Sequence, residues 1–268
     1  MKSKDLEDIA LTIRKDVLEM VNKAGSGHIA GPLGMADVFA FLYFEFLKVD
    51  PKNPSYKKRD YFFLSNGHIC PALYSVLSLK EFISRDELKS LRKLGSALQG
   101  HPHRTEVSGV ESSSGPLGSG LSQAAGAACG LRIDKYKSRV VCMTSDGEHQ
   151  EGNTWEAIMF AGKERLSNLI NIVDYNNIQI DGFVSDIMPL NNLKDAYVSF
   201  GWDAEYVDAH DFKALRSVFS KANSSDKPFV IIAKSVAGKG VSFIEKDYKW
   251  HGKAPSDVEL TKALEELK

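Results

Sequence analysis

The sequence predicts an α/β fold, an open and mostly parallel sheet with helices on both faces. Two apolar runs carry the prediction, Arg139 to Thr144 and Asn168 to Val173, each ending in a polar cluster: Ser145-Asp146-Gly147-Glu148 and Asp174-Tyr175-Asn176-Asn177-Ile178. Between them, Gly152 to Glu164 places Trp155, Ile158, Met159 and Phe160 where a crossover helix needs apolar residues, giving a βαβ unit of about thirty residues. Both clusters then lie side by side at the carboxyl edge of a parallel sheet, where open α/β sheets bind ligands. One carboxylate, one amide oxygen and a loop carbonyl make a hard oxygen set suited to Mg²⁺ or Ca²⁺, with too little charge for a closed cage. Such a site borrows its remaining ligands from phosphate. Taken alone, the same residues suit two plain turns equally well.

Taken in order, Leu6, Ile9, Ile13, Val17, Met20 and Val21 recur at helical spacing, and Gly25 ends that first amphipathic helix. The loop from Gly25 to Gly34 sets several glycines around His28, so backbone there can approach a ligand closely. Pro32 opens a second helix through Leu47, apolar nearly all round and hence buried. Asp60 to Ser65 reads as a strand, turned by Asn66-Gly67-His68 into a helix carrying Leu73, Tyr74, Val76 and Leu77. Ser84 and Glu87 form a capping-box pattern for a short helix through Leu94. Gly100-His101-Pro102-His103-Arg104 is too rich in breakers to be regular. A Gly- and Ser-rich loop from Gly109 to Gly120 leads into a helix of small residues, Leu121 to Leu131, open to close approach by another helix or by a partner chain. The glycine spacing there is not that of a dinucleotide fingerprint, and no phosphate loop of the Gly-x-x-x-x-Gly-Lys-Ser type occurs. Beyond the central unit, Leu193–Phe200 and Phe212–Phe219 read as surface helices alternating with strands at Asp203–Val207 and Phe229–Ala233, for a sheet of five or six strands. Ser256 and Glu259 cap a last amphipathic helix within residues 253–268.

Length and composition bound what this fold does. The chain has 268 residues, enough for one large domain, with 43% hydrophobic and 26% charged residues. A net charge of -1 offers no general attraction for nucleic acid or acidic lipid, so an anionic ligand needs a local site. The N-terminal stretch lacks the apolar core of a signal peptide, and no apolar run approaches a membrane span; the expectation is a cytoplasmic protein. Cys70, Cys129 and Cys142 are expected as free thiols. No internal repeat or linker is visible, which predicts a single domain over 1–268.

With these motifs assembled, the chain resembles the N-terminal, diphosphate-binding half of transketolase, a thiamine diphosphate enzyme. The resemblance rests on Ser26-Gly27-His28 with Gly31-Pro32-Leu33-Gly34; Leu64-Ser65-Asn66-Gly67-His68; Gly100-His101-Pro102; Gly109-Val110-Glu111 with Gly115-Pro116-Leu117-Gly118; Asp146-Gly147-Glu148 with Glu151-Gly152; Asp174-Tyr175-Asn176-Asn177; and Trp250-His251-Gly252. It implies that Asp146, Asn176 and the main-chain oxygen of Ile178 hold the metal, Mg²⁺ or alternatively Ca²⁺ or Mn²⁺. Gly147 and Glu148 belong to the same cofactor-binding motif, with Gly147 admitting the diphosphate. His68 and His251 donate hydrogen bonds to diphosphate or to the reacting end of the substrate, and Gly115 and Leu117 contact the cofactor rings. His28 and His101 face the substrate, and together with His251 form the catalytic set. His149 is expected beside the cofactor, whereas His103 and His210 are expected to be structural or solvated.

The implied activity transfers a two-carbon ketol unit from a ketose phosphate to an aldose phosphate through a thiamine diphosphate enamine. The family's pyrimidine-binding domain, with its activating glutamate, is absent from this chain, so the expectation is a split enzyme. A separate C-terminal, pyrimidine-domain subunit would complete an α2β2 assembly, with the small-residue helix and Glu151 at the interface. Ser145 in place of the glycine usual before Asp-Gly-Glu, and Pro71 after His68, depart from the pattern without removing a ligand. Two other readings compete, the α subunit of a 2-oxo acid dehydrogenase and a non-catalytic interaction subunit that keeps the fold. Deoxyxylulose phosphate synthase and ketol transferases for unusual sugars are nearer neighbours.

Overall fold

Unbroken apolar runs demand cover on both faces of a strand, and the chain supplies it. The computed structural model describes residues 1–268. It begins with α1 (Ser3–Ala24), closed by Gly25 at φ 67°, and α2 (Ala30–Phe41), every residue of which is buried. There follow β1 (Tyr61–Leu64), α3 (Cys70–Leu79), α4 (Gly120–Ile133), β2 (Val140–Ser145), α5 (Gly152–Lys163) and β3 (Leu169–Tyr175). A small hairpin, β4 (Ile178–Gln179) and β5 (Gly182–Phe183), leads through α6 (Val184–Ile187) and α7 (Leu193–Ser199) to β6 (Asp203–Asp208), α8 (Phe212–Ser224), β7 (Phe229–Lys234) and α9 (Asp257–Glu266).

Five strands form one parallel sheet in the order β1-β2-β3-β7-β6. Alternation along the strands splits the core in two. Phe62, Leu64, Val141, Met143, Ile170, Ile172 and Ile231 pack under α1, α2, α3 and α8, while Phe63, Val140, Cys142, Leu169, Val173, Val230 and Ile232 pack under α4, α5 and α7. The register sets Ser145 beside Asp174 and Asp174 beside Ala233, so β2, β3 and β7 end together at one edge. The predicted open parallel sheet with helices on both faces is the observed one, and no helix is long and apolar enough to cross a membrane. The three cysteines are free.

Local differences have local causes. The second predicted helix stops being α-helical at Phe41 and continues as a π turn, Leu42–Phe46, before Leu47 becomes extended. The capping box at Ser84 and Glu87 exists, but the turn it starts is 3₁₀, spans Arg85–Ser90, and does not reach Leu94. Extended backbone at Leu91 and a left-handed Arg92, φ 59°, end it. Pro71 sits in the first turn of α3, where its missing N–H costs no helical bond. Within residues 253–268 the capped helix occupies Asp257–Glu266. The hairpin β4–β5 was not expected from the sequence.

Two histidines outside the glycine-rich loops hold the fold together. His149 is buried, with Nδ1 2.7 Å from the Ser145 carbonyl and Nε2 2.8 Å from the Tyr197 hydroxyl, which in turn accepts from Asn171. It thus belongs to the core beneath α5 and α7 and does not line the cavity beside which the sequence had placed it, because both ring nitrogens are taken by the core. His210 bridges Asp37 at 2.7 Å and accepts from the Val236 N–H at 3.0 Å, tying α2 to the segment after β7. The second bond assigns its proton to Nδ1. His103 is exposed beside Thr105.

Candidate functional site

The ends of β2 and β3 meet the glycine-rich loops around a cavity of about 380 Å³ at the carboxyl edge of the sheet. His28, His68, His101, Gly115, Leu117, Gly147, Glu148, Asn176, Ile178 and His251 all line it. Asp146 lies directly beneath, 1% exposed. The candidate catalytic, cofactor and metal residues named from the sequence therefore lie at or directly beside one cavity.

Asp146 follows β2 directly and caps the 3₁₀ turn Gly147–Gln150. Its carboxylate accepts from the N–H of Gly147 at 2.7 Å and of Asn177 at 2.5 Å, and its own N–H donates to the Asp174 carbonyl. Asn177 reaches it by adopting φ 64°, a left-handed conformation that asparagine tolerates. Asn176 is oriented on both sides, its Nδ2 donating to Asp174 at 2.9 Å and its Oδ1 accepting from Ile178 N–H at 2.9 Å. Ser235 at the end of β7 donates to the other Asp174 oxygen. Burial drives the Asp146 carboxyl up to about 6 against the backbone donors, and the Asp174 carboxyl up to about 7, with the nearby Asp146 adding to the second. Gly147 keeps this floor open, since a Cβ there would come within 3.3 Å of Gln179 Oε1.

Glu148, fully buried, turns toward the neighbouring loop. Its carboxylate accepts from Ser65 Oγ and from the Gly118 N–H at 2.7 Å, and burial raises its pKa. It fastens the Gly115–Gly120 loop over the strand ends, where Leu117 is 37% exposed.

The histidines form a cluster. Ring centroids lie 5.0 Å apart for His28 and His68, 5.3 Å for His28 and His251, 5.2 Å for His68 and His251, and 6.5 Å for His28 and His101. Desolvation lowers all four, His28 and His251 to about 4 and His68 well below its ordinary value; mutual repulsion adds for His28 and His68, and Arg92 adds for His28 and His101. At neutral pH they are uncharged imidazoles, each able to accept one proton and donate another. Nδ1 of His28 and of His251 has no partner, nor does the side chain of the buried Asn66 that precedes His68. Buried polar groups are nearly always paired, so the unpartnered nitrogens of His28 and His251, which line the cavity, mark where a ligand can be received.

Sequence reasoning missed Gln150, Gln179, Ile180 and Asp181, which complete the wall. The last three come from the unforeseen hairpin, and the Gln150 amide donates to Gln179 at 3.0 Å. It also missed the brace from Asp174 to Asn176, although a carboxylate ending a buried strand was its signal.

An edge cavity of this kind on an open parallel sheet defines a ligand-binding α/β domain. Residues 6–267 match the family described as transketolase, thiamine diphosphate binding domain, and the chain belongs to that family. It is 38% identical over 264 residues to the 6-deoxy-6-sulfo-D-fructose transketolase subunit SqwG of Clostridium sp. (strain MSTE9), covering 98% of this chain and 96% of that protein. To an apulose-4-phosphate transketolase subunit from Phocaeicola vulgatus it is 37% identical over 255 residues, 95% of this chain and 90% of that one. The solved transketolase from Campylobacter jejuni superposes with a TM-score of 0.95 at 35% identity, covering 100% of this chain but 43% of that one. The chain thus has the fold and homology of a transketolase-type transferase and spans less than half the length of that solved relative.

Proposed function

We propose that this chain is the diphosphate-binding subunit of a two-chain transketolase. With a separate pyrimidine-domain subunit, in an α2β2 assembly, it transfers a two-carbon ketol unit from a ketose phosphate to an aldose phosphate. Residues 1–268 then form one domain, and the pyrimidine half belongs to the partner. The observation that carries this reading is the single cavity that unites the Asp146–Asn176 floor with four histidines. Relatives described as transketolase subunits, matched over nearly their whole length, support the two-chain arrangement.

The residues fit a metal-bound diphosphate. No three His, Cys, Asp or Glu side chains converge as a metal cluster, but a carboxylate, an amide oxygen and a main-chain carbonyl complete a hard-cation shell only when phosphate and water contribute. The positive charge of a divalent cation would also offset the desolvation that lifts the Asp146 and Asp174 carboxyls. Asp146, Asn176 and the Ile178 carbonyl would hold Mg²⁺, with Ca²⁺ or Mn²⁺ as substitutes, and Gly147 leaves room for the diphosphate. Gly115 and Leu117 would contact the rings, while Glu148 braces their loop from behind. When bound, thiamine diphosphate supplies the carbanion chemistry.

The histidines do the rest from this side of the site. His68 and His251 present N–H donors to diphosphate oxygens or to the reacting carbonyl end. His28 and His101 orient substrate hydroxyls, and, being neutral, can take a hydroxyl proton when the carbon–carbon bond breaks and return it to the new product. A cluster this close cannot hold several protonated rings, so one proton at a time is handled.

Co-expression with a pyrimidine-domain subunit, followed by a ketol-transfer assay over several donor and acceptor sugars, tests the reading. Transfer by the pair and none by either chain alone is expected. Ordinary turnover of xylulose 5-phosphate and ribose 5-phosphate by this chain alone, with thiamine diphosphate and Mg²⁺, would overturn the two-chain arrangement. Pyruvate decarboxylation without sugar transfer would point instead to a 2-oxo acid dehydrogenase.

A further inference from the structure

At the amino edge of the sheet, opposite the cavity, the turn from α4 into β2 and the segment leading into β1 enclose a second depression of about 520 Å³. Asp60 immediately precedes β1 and Ser138 lies two residues before β2. The six residues of β2 therefore put about 20 Å between this depression and the strand end beside Asp146. Lys48, Lys58, Lys135 and Lys137 stand around it, and none of them holds a carboxylate within ion-pair distance. Two acidic residues share the walls. Asp60, 2% exposed, is already matched: its carboxylate accepts from the Lys48 N–H at 3.0 Å, from the Arg139 N–H at 2.9 Å and from the Arg139 guanidinium at 2.8 Å. That leaves Asp134 alone against four ammonium groups. In a chain whose net charge is -1 such a gathering is local, and like charges without counter-ions repel. Ser138 supplies an independent sign of a ligand. It lines the depression, is 3% exposed, and its hydroxyl has no hydrogen-bond partner, a state in which buried polar groups are rarely left. Tyr136, half-buried, adds an aromatic wall, with Lys58 Nζ 5.8 Å from its ring centroid.

We propose that this depression is a second, non-catalytic binding site for a small polyphosphate anion, whose phosphate chain lies among the lysines and accepts from the Ser138 hydroxyl. The inference does not rest on the ketol-transfer reading. A volume of this order suits a metabolite, and the near-neutral chain offers no general attraction for nucleic acid. Lysine heads on long stems act as point charges and can converge on a phosphate chain from several sides, without the fixed fork of a guanidinium. A free polyphosphate and the tail of a nucleotide share this chemistry, and Tyr136 is the surface a base would lie against. Bound there, the anion joins segment 48–58 to the turn 134–138 and ties the amino ends of β1 and β2 together.

The test is equilibrium dialysis of radiolabelled ATP against the full chain, with unlabelled inorganic tripolyphosphate and adenosine as competitors. Divalent cations are left out, so that ATP keeps its full charge and the edge cavity has no metal to hold a diphosphate. Saturable binding of one ATP per chain is expected, displaced by tripolyphosphate and not by adenosine. Equal affinity for the two polyphosphates assigns the site to the phosphate chain alone, and tighter binding of ATP assigns it to a nucleotide. A double variant, Lys135→Gln with Lys137→Gln, is expected to weaken binding about tenfold or more, and added salt to weaken it further. Asp146→Ala, at the other edge of the sheet, should leave it within about twofold. Ser138→Ala removes an unpaired hydroxyl, so the ligand-free chain should melt no lower than wild type yet bind ATP several-fold more weakly. No saturable binding, displacement by adenosine alone, or an affinity unchanged in the double variant would overturn the site.

Discussion

The two ends of the cavity are built by opposite rules. At the Asp146 end the side chains of the floor are already engaged: Asp146 by two backbone N–H groups, Asn176 by Asp174 and Ile178, and Asp174 by Ser235. These residues end strands β2, β3 and β7, so the sheet itself fixes their positions. At the histidine end the side chains come from four loops, and nitrogens of His28 and His251 have no partner. A finished end holds a ligand by geometry that folding has already ordered. An unfinished end waits for atoms the chain does not contain.

The largest effect should come from breaking the finished end. Asp146→Ala removes the carboxylate of the proposed metal set and leaves the Asn177 and Gly147 N–H groups unpaired. Metal-dependent binding of thiamine diphosphate, followed by calorimetry on the complex, is expected to weaken by about 3 kcal/mol or more, over 100-fold. Unchanged affinity would mean that the floor is two turns and no anchor. Next, His28→Ala strikes the unfinished end, so kcat/KM for ketol transfer should drop about 100-fold while cofactor affinity stays within about threefold. Equal losses in both quantities would erase the distinction between the ends.

Asp174→Asn is gentler, because Asp174 acts through Asn176. A loss of about tenfold in metal affinity is expected, the usual size when an outer partner of a metal ligand is changed. No change on titrating the complex with Mg²⁺ would detach Asp174 from the floor.

His149 sharpens the contrast from outside the cavity, since both its nitrogens are partnered. Burial holds its pKa down to about 4, below the roughly 6.5 of an unfolded chain. The unfolded state therefore binds more protons between those values, and the contribution of neutral His149 is present above pH 6.5 and lost as pH falls toward 4. Urea unfolding of wild type and His149→Gln at pH 7, 5.5 and 4 should show their stability difference shrinking by on the order of 3 kcal/mol. A difference independent of pH would show that His149 takes up its proton without cost.

Much of the finished end was legible in the sequence, and the reason is physical. Strands buried on both faces must be uninterrupted apolar runs, so Val140–Met143 and Leu169–Val173 announce their own ends, and Asp146 and Asn176 follow. The histidine loops carry no periodicity; nothing in their spacing brings His28, His68, His101 and His251 to one point, and only the family resemblance grouped them. The hairpin Ile178–Phe183 was invisible because strands of two residues show no alternation. The early end of the helix predicted through Leu94 was invisible because a left-handed Arg92 leaves no compositional trace.

The strand order has a consequence for how the chain is made. β6 precedes β7 in the sequence, yet its partner in the sheet is β7, which lies between it and β3. As synthesis proceeds from the N-terminus, Asp203–Asp208 emerges with no neighbour to bond, and β3 presents an open edge until Phe229–Lys234 arrives to join the two. Pairing of distant segments is the slow part of folding, and here the joining strand is also the last. Ser235, which braces Asp174, follows that strand directly. The ribosome therefore delivers the floor of the site complete only once Ser235 has emerged.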